Sequence, residues 1–285
     1  MLRVAHLSDV HLTAARSVRR AYGLRCRAVR FGRPSDPSLR AVRLRAALEA
    51  VVAAGADHLV LSGDLTELGD DAEFEMFAEV LSGAGIPESR ITLVPGNHDA
   101  YTSSDGWRRA LEGPLAPWAA TSAPAGGVRI VDRGPLVLAA VDVSRHQPVV
   151  LSGGELSARL AEEIERRIAA PSRAGVAIAL VVHHPPFPKH DNAAYRWVDS
   201  LQGSERLLAL LGRHPTLYIL HGHLHQAVDR LRTVGAPGVA DDVEAPRVRL
   251  YDVTGGALVP SGVVTAAPAP ASAGSGSDAG PMGRP

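Results

Sequence analysis

Five short clusters hold most of the residues able to do chemistry in this chain: Asp9-Val10-His11, Gly63-Asp64, Gly96-Asn97-His98-Asp99, His183-His184-Pro185 and Gly222-His223-Leu224-His225. Their donors are oxygen and imidazole without a thiolate, a set suited to divalent cations in five- or six-fold coordination. The Asp-x-His spacing at the end of a strand lets both side chains aim at one ion. His223 and His225, two apart on an extended segment, present both rings on one face. Two cations about 3.5–4 Å apart need a bridging oxygen donor, and Asp64, in the turn made by Gly63, is the candidate. One such cluster reads equally well as a hydrogen-bonded turn or a packed histidine; five at successive strand ends point to one site.

The clusters follow apolar runs. Residues 2–7, 58–61, 91–94, 176–182 and 217–220 read as strands, with 128–131 and 137–143 as further strands between them. Helical spacing appears over 38–54, 72–81, 154–169 and 204–214, the first bounded by Pro37 and Gly55. Alternation of strand and helix predicts an α/β protein in which the carboxyl ends of the strands gather all five clusters at one edge. Residues 112–127 read as a loop or short helices and 185–197 as a loop. Residues 227–264 read as two or three antiparallel strands around a loop at 235–246, and 266–285, mostly Ala, Pro, Gly and Ser, as a disordered tail.

Composition narrows the function classes. With 285 residues, 46% hydrophobic and 21% charged, the chain can bury one substantial core. Thirty Lys+Arg balance thirty Asp+Glu, which argues against a nucleic-acid duplex or an acidic membrane as partner. Cys26 is alone, so the chain has neither an intrachain disulfide nor a cysteine zinc site, and a reducing compartment is the default. No leader-like apolar stretch precedes His6 and no apolar run approaches the ~18 residues of a membrane span, so the expectation is a cytoplasmic protein without a transmembrane segment. The twelve histidines, against four Phe, are the excess that the clusters explain. His6, His58, His146, His214 and His221 read as packed or surface histidines.

Taken in order, Asp9-x-His11, Gly63-Asp64, Gly96-Asn97-His98-Asp99, His183 and Gly222-His223-x-His225 resemble the five-block signature of the calcineurin-like metallophosphoesterases, over residues 1 to about 260. The resemblance implies a four-layer α/β/β/α sandwich over 1–265 with a dinuclear site at the carboxyl edge of the strands. It implies two divalent or mixed-valence ions of the Mn, Fe and Zn class. Asp9, His11, Asp64 and His225 would surround one, and Asp64, Asn97, His183 and His223 the other. His98 would be the catalytic histidine, oriented by Asp99. A water shared by the two ions would act as the hydroxide nucleophile in line with the scissile P–O bond, with His98 giving a proton to the leaving oxygen. Between His183 and His184, the one that ends the strand is favoured as ligand, leaving His184 beside it or at the substrate. Glu67 reads either as a bond to neighbouring loops or as a plain helix N-terminal acid.

The His-His-Pro sequence resembles the phosphodiesterase branch, which makes a small diester such as a cyclic nucleotide the expected substrate. A monoesterase, or a pyrophosphate hydrolase acting on a nucleotide-linked lipid, is the alternative, and a non-catalytic metal-bearing scaffold a third. An insertion at about 14–36 bears on this choice. Arg16, Arg19, Arg20, Arg25, Arg27, Arg30 and Arg33 alternate there with apolar residues, reading either as a solvated basic face or as a collector of anionic substrate or a peripheral lipid contact. His184, His190, Arg16, Arg19 and Arg20 are the candidate substrate contacts. Phe187, Tyr195 and Trp197 read as loop anchors or base-stacking residues, and a homodimer stays open.

Overall fold

A computed structural model describes residues 1–15, 36–170, 175–189, 192–230, 232–240 and 245–266. Strand β1 (Leu2–Leu7) leads through helix α1 (Pro37–Ala53) to β2 (His58–Ser62), and helix α2 (Asp71–Ser82) leads on to β3 (Ile91–Val94). Helix α3 (Gly106–Glu112) precedes the hairpin of β4 (Val128–Asp132) and β5 (Leu136–Val141). The chain continues through β6 (Gly154–Glu155), α4 (Ala158–Ala169), β7 (Ala177–Val181), α5 (Ala193–Asp199), β8 (Leu201–Gln202), α6 (Ser204–Arg213) and β9 (Leu217–His221). It closes on β10 (Val228–Arg230), β11 (Thr233–Gly235), β12 (Arg247–Thr254) and β13 (Ala257–Thr265).

Two large sheets result, in the orders β13-β12-β1-β2-β3 and β10-β11-β9-β7-β5-β4; the first is parallel over β1-β2-β3 and antiparallel toward β13, the second parallel from β11 to β5 and antiparallel at both edges. Strand alternation sets the layers. Val4, Val60, Val94, Leu138, Ala179, Val181, Leu220 and Tyr251 face one another between the sheets. Their neighbours Ala5, Leu59 and Leu61 turn outward, onto Leu44, Leu48 and Val51 of α1 and Phe74 and Phe77 of α2. On the other side Ala139, Ile178, Leu180 and Ile219 meet Leu160, Ile164 and Ile168 of α4 and Leu207 and Leu210 of α6. Helix, sheet, sheet, helix is the four-layer sandwich that the motif order implied. Asp36 and Asp70 cap α1 and α2 through the N–H groups of Ser38 and Ala72, and Ser157 caps α4 through that of Leu160.

Several boundaries differ from those expected. The helix read over 154–169 starts at Ala158, because Gly154 and Glu155 pair with Leu201 and Gln202 as a two-stranded parallel sheet. Residues 185–197 are not all loop: α5 begins at Ala193. The described residues of 227–264 hold four strands, and β11 runs parallel to β9, extending the second sheet. Ala266, assigned to the tail, is buried against the α1 side of the first sheet. The rest of that tail, 267–285, and insertion residues 16–35 lie outside the described residues. Among the described residues no helix is long and apolar enough to cross a membrane.

Candidate metal centre

The carboxyl ends of β1, β2, β3, β7 and β9 meet at one edge, where backbone hydrogen bonds tie the β1 loop to the β2 loop and the β9 loop to the β7 loop. Asp9 donates its N–H to the Gly63 carbonyl at 3.0 Å, His11 to that of Asp64 at 2.8 Å, and Gly222 to that of His183 at 3.0 Å. Two glycines let the loops approach this closely. A Cβ on Gly96 would lie 2.2 Å from Asp64 Oδ1, and one on Gly222 would lie 1.7 Å from Ser8 Oγ. Among the described residues, the non-glycine residues with left-handed backbone are Asp9 (φ 54°), His11 (48°), Asp64 (51°), His223 (66°) and His225 (56°). Each such conformation costs about 1–2 kcal/mol, and all five belong to the clusters singled out by residue type.

The side chains converge with their lone pairs inward. His225 Nε2 stands 3.1 Å from Asp9 Oδ1 and 3.4 Å from His11 Nε2, which is 3.7 Å from Asp64 Oδ2. On its other side Asp64 Oδ2 is 3.3 Å from His183 Nε2 and 3.9 Å from His98 Nε2. The outward nitrogens are tied to backbone: His183 Nδ1 donates to the Ser62 carbonyl at 2.8 Å, and His223 Nε2 to that of Asp199 at 2.8 Å. Those bonds fix ring orientation and leave His183 Nε2 and His223 Nδ1 for a cation. Asn97 Nδ2 donates to the Tyr101 hydroxyl at 2.8 Å, so its carbonyl oxygen turns inward.

The buried atoms Asp9 Oδ2, Asn97 Oδ1 and His183 Nε2 have no hydrogen-bond partner. A buried polar atom left so costs about 1–3 kcal/mol, a cost that divalent cations bound there would offset. The sets Asp9, His11, His225 and Asp9, Asp64, His183 each bring their donor atoms within 4.8 Å of one another. The residues present therefore fit a dinuclear centre.

Electrostatics agree. Burial disfavours a charged His183 ring, but the Asp64 carboxylate, with Asp9 behind it, overrides this and holds it up to about 9. Burial also works against the Asp64 and Asp9 charges, yet both carboxyls lie below their ordinary range, Asp64 through His183, His98 and His11 and Asp9 through His225. The two carboxylates thus call for positive charge in the space between them. Burial, reinforced by the His183 charge, takes His184 down to about 3; its Nε2 donates to the Ser152 carbonyl at 2.8 Å. His184 therefore stands beside His183 and His223 as a neutral ring, while His183 faces Asp64.

One expected role is corrected. Asp99 does not orient His98. Its carboxylate accepts from the N–H groups of Leu65 (3.1 Å), Thr66 (2.8 Å) and Gly96 (2.8 Å) and from the Thr66 hydroxyl (2.7 Å), tying the β2 loop to the β3 loop. Burial and the Asp64 charge raise it to about 6. The His98 ring is held by the Glu67 carbonyl instead, which accepts from Nδ1 at 2.7 Å. Sequence reading missed this bond, and missed Tyr101 and the carbonyls of Ser62, Ser152 and Asp199. A tyrosine four residues after Asn97 was the one legible signal, since a carbonyl carries no residue type.

Of the remaining expected contacts, Arg16, Arg19, Arg20 and His190 lie outside the described residues. Phe187 packs edge-on to the buried His221, with the Arg230 guanidinium 5.1 Å from its ring centre, while Trp197 is exposed. His6 bonds Ser62 Oγ at 2.7 Å, His58 bonds Thr92 Oγ1 at 2.9 Å, and His146 Nδ1 donates to the Ala100 carbonyl at 2.9 Å.

The sequence profile of the calcineurin-like phosphoesterases matches residues 2–227. No curated protein matches the chain in sequence. Among solved structures, a dimetal phosphatase from Danio rerio superposes with a TM-score of 0.63 at 14% identity, covering 93% of this chain and 98% of that one. A Staphylococcus aureus protein described as a 5'-nucleotidase in complex with α-ketoglutarate gives 0.51 at 11% identity. That match covers 94% of this chain and 54% of the Staphylococcus protein, so the chain spans about half its length. At such identities the structural likeness is one of fold, and the profile carries the assignment: the chain belongs to the calcineurin-like phosphoesterase family, metal-dependent hydrolases of phosphoric esters.

Proposed function

We propose that the chain hydrolyses small phosphodiesters, of which cyclic nucleotides are the type case. Asp9, His11, Asp64 and His225 would hold one divalent ion, and Asp64, Asn97, His183 and His223 the second. The observation that supports this is that the donor atoms of Asp9, His11 and His225, and of Asp9, Asp64 and His183, lie within 4.8 Å of one another in each set, with Asp9 Oδ2 and His183 Nε2 buried without a hydrogen-bond partner. Divalent cations bound there supply Lewis-acid polarisation of a phosphoryl oxygen and acidify water for attack on phosphorus.

The chain's own groups do the rest. Asp64 reaches His11 on one side and His183 on the other through the same oxygen, which is the placement a bridge requires. His98 donates Nδ1–H to the Glu67 carbonyl, which directs its Nε2 to the site, where the doubly protonated ring would give a proton to the leaving oxygen. Asp64 Oδ2 stands 3.9 Å from that nitrogen. Asp9 and Asp64 are the carboxylates of the donor set; set against two divalent ions they leave an excess of positive charge, which an anionic ester complements.

The test is a substrate panel on protein reconstituted with manganese: a cyclic nucleotide, a linear diester, a monoester and a nucleotide diphospho-lipid. Turnover of the two diesters is expected, abolished by a chelator. Hydrolysis of the monoester alone, or of the diphospho-lipid alone, would overturn the diester assignment.

A further inference from the structure

Helix α1 carries two arginines within its buried face. Arg40 and Arg43 are buried along with Leu44, Ala47, Leu48 and Val51, one and two turns further on. A buried guanidinium is costly unless its donors are engaged. Arg40 Nη1 donates both to the Glu67 carboxylate and to the His11 carbonyl. Arg43 Nη1 donates to the Ala240 carbonyl at 2.6 Å, and Ala240 donates its own N–H to the Asp9 carbonyl at 3.1 Å. One helix therefore holds both ends of the turn that places Asp9 and His11 in left-handed backbone.

Glu67 extends that hold. Its Oε2 stands 3.8 Å from His11 Nδ1, and its carbonyl accepts from His98 Nδ1. Its N–H donates to the Leu12 carbonyl at 2.8 Å, so its backbone is fixed to the same turn. Arg40, Glu67, His11 and His98 form one buried chain of contacts running from an outer helix to the centre.

We infer that Arg40 is a positioning residue of the metal centre: by binding the His11 carbonyl and the Glu67 carboxylate it sets where His11 and His98 stand. This rests on the two-metal reading above. Neutralising Glu67 is not its whole task, because the His11 carbonyl needs no countercharge.

The test is Mn2+ titration of metal-stripped protein by calorimetry, comparing wild type, Glu67→Gln, Arg40→Met and the double variant, with a melting curve for each. Glu67→Gln lets Arg40 be removed without stranding a buried charge, so the double variant is expected to melt at or above Arg40→Met. Positioning by Arg40 predicts that one of the two ions binds at least tenfold more weakly in the double variant than in Glu67→Gln alone, the other being little changed. Equal affinity in those two proteins overturns the inference, making Arg40 only the partner of a buried carboxylate. If Arg40→Met does not fold, the same comparison decides. Wild-type uptake of fewer than two ions refutes the two-metal reading itself, and the inference with it.

Discussion

His98 and His184 are the imidazoles of the five clusters that serve neither proposed ion, and the His98 side chain is 8% exposed while that of His11 is fully buried. A group placed so can exchange a proton with substrate without disturbing the ligands. His98→Ala is accordingly expected to keep both ions by elemental analysis and to lower turnover by about two orders of magnitude or more. Undiminished turnover of an ester whose leaving group has a high pKa would remove the acid role. The candidate donors were legible in the sequence because metal-binding chemistry demands particular residue types, and five such groups ended apolar runs. The bonds that aim them were less so, since His183, His223 and His98 are each oriented by a backbone carbonyl that any residue would offer. Asp99 shows the opposite error: its neighbour in sequence is His98, yet its four donors come from residues 65, 66 and 96. Arg40 did leave a trace, as a charged residue four before Leu44 in an apolar stripe.

Loops rather than strands set the tolerance of the centre at the element scale. The β2 and β3 loops interlock where Gly96 passes Asp64: a Cβ there would meet Asp64 Oδ1 at 2.2 Å and Asp64 N at 2.4 Å. The second contact is backbone, which cannot swing aside. Gly96→Ala should therefore displace Asp64 and weaken Mn2+ binding at least tenfold while the far-ultraviolet circular dichroism stays that of the wild type. Two ions held with wild-type affinity would show that the loops have slack. Long amphipathic or fully apolar elements, such as α1 and β7, fell within one or two residues of where periodicity put them. The two-residue strands β6 and β8 did not, because a pairing so short leaves no period to read and depends on partners 47 residues apart. Helix α5 was hidden for a similar reason, following a run rich in proline.

The whole molecule balances an apolar interior against a few buried titratable groups, and Glu73 is one whose cost varies with pH. Burial raises its carboxyl to about 8; the Leu68 N–H, donating to it at 2.8 Å, compensates only in part. A carboxyl raised in the folded state holds its proton there while the unfolded chain has lost it. The stability it permits is complete below the unfolded value near 4.5 and is lost as pH rises through about 8. Glu73→Gln keeps an acceptor for Leu68 and removes the titration. It should stabilise the fold by ~1–3 kcal/mol at pH 8 and by little at pH 4.5, read from melting curves at both. A gain equal at the two pH values would place the effect elsewhere.

The left-handed backbone at Asp9, His11, Asp64, His223 and His225 also bears on how such a chain changes over generations. Glycine adopts those conformations without strain, so at each position the backbone alone would gain from the substitution that abolishes the side chain. Selection for hydrolysis is what opposes it. In a lineage released from that selection, glycine should spread through these five positions first, in a sandwich whose sheets and outer helices are still intact.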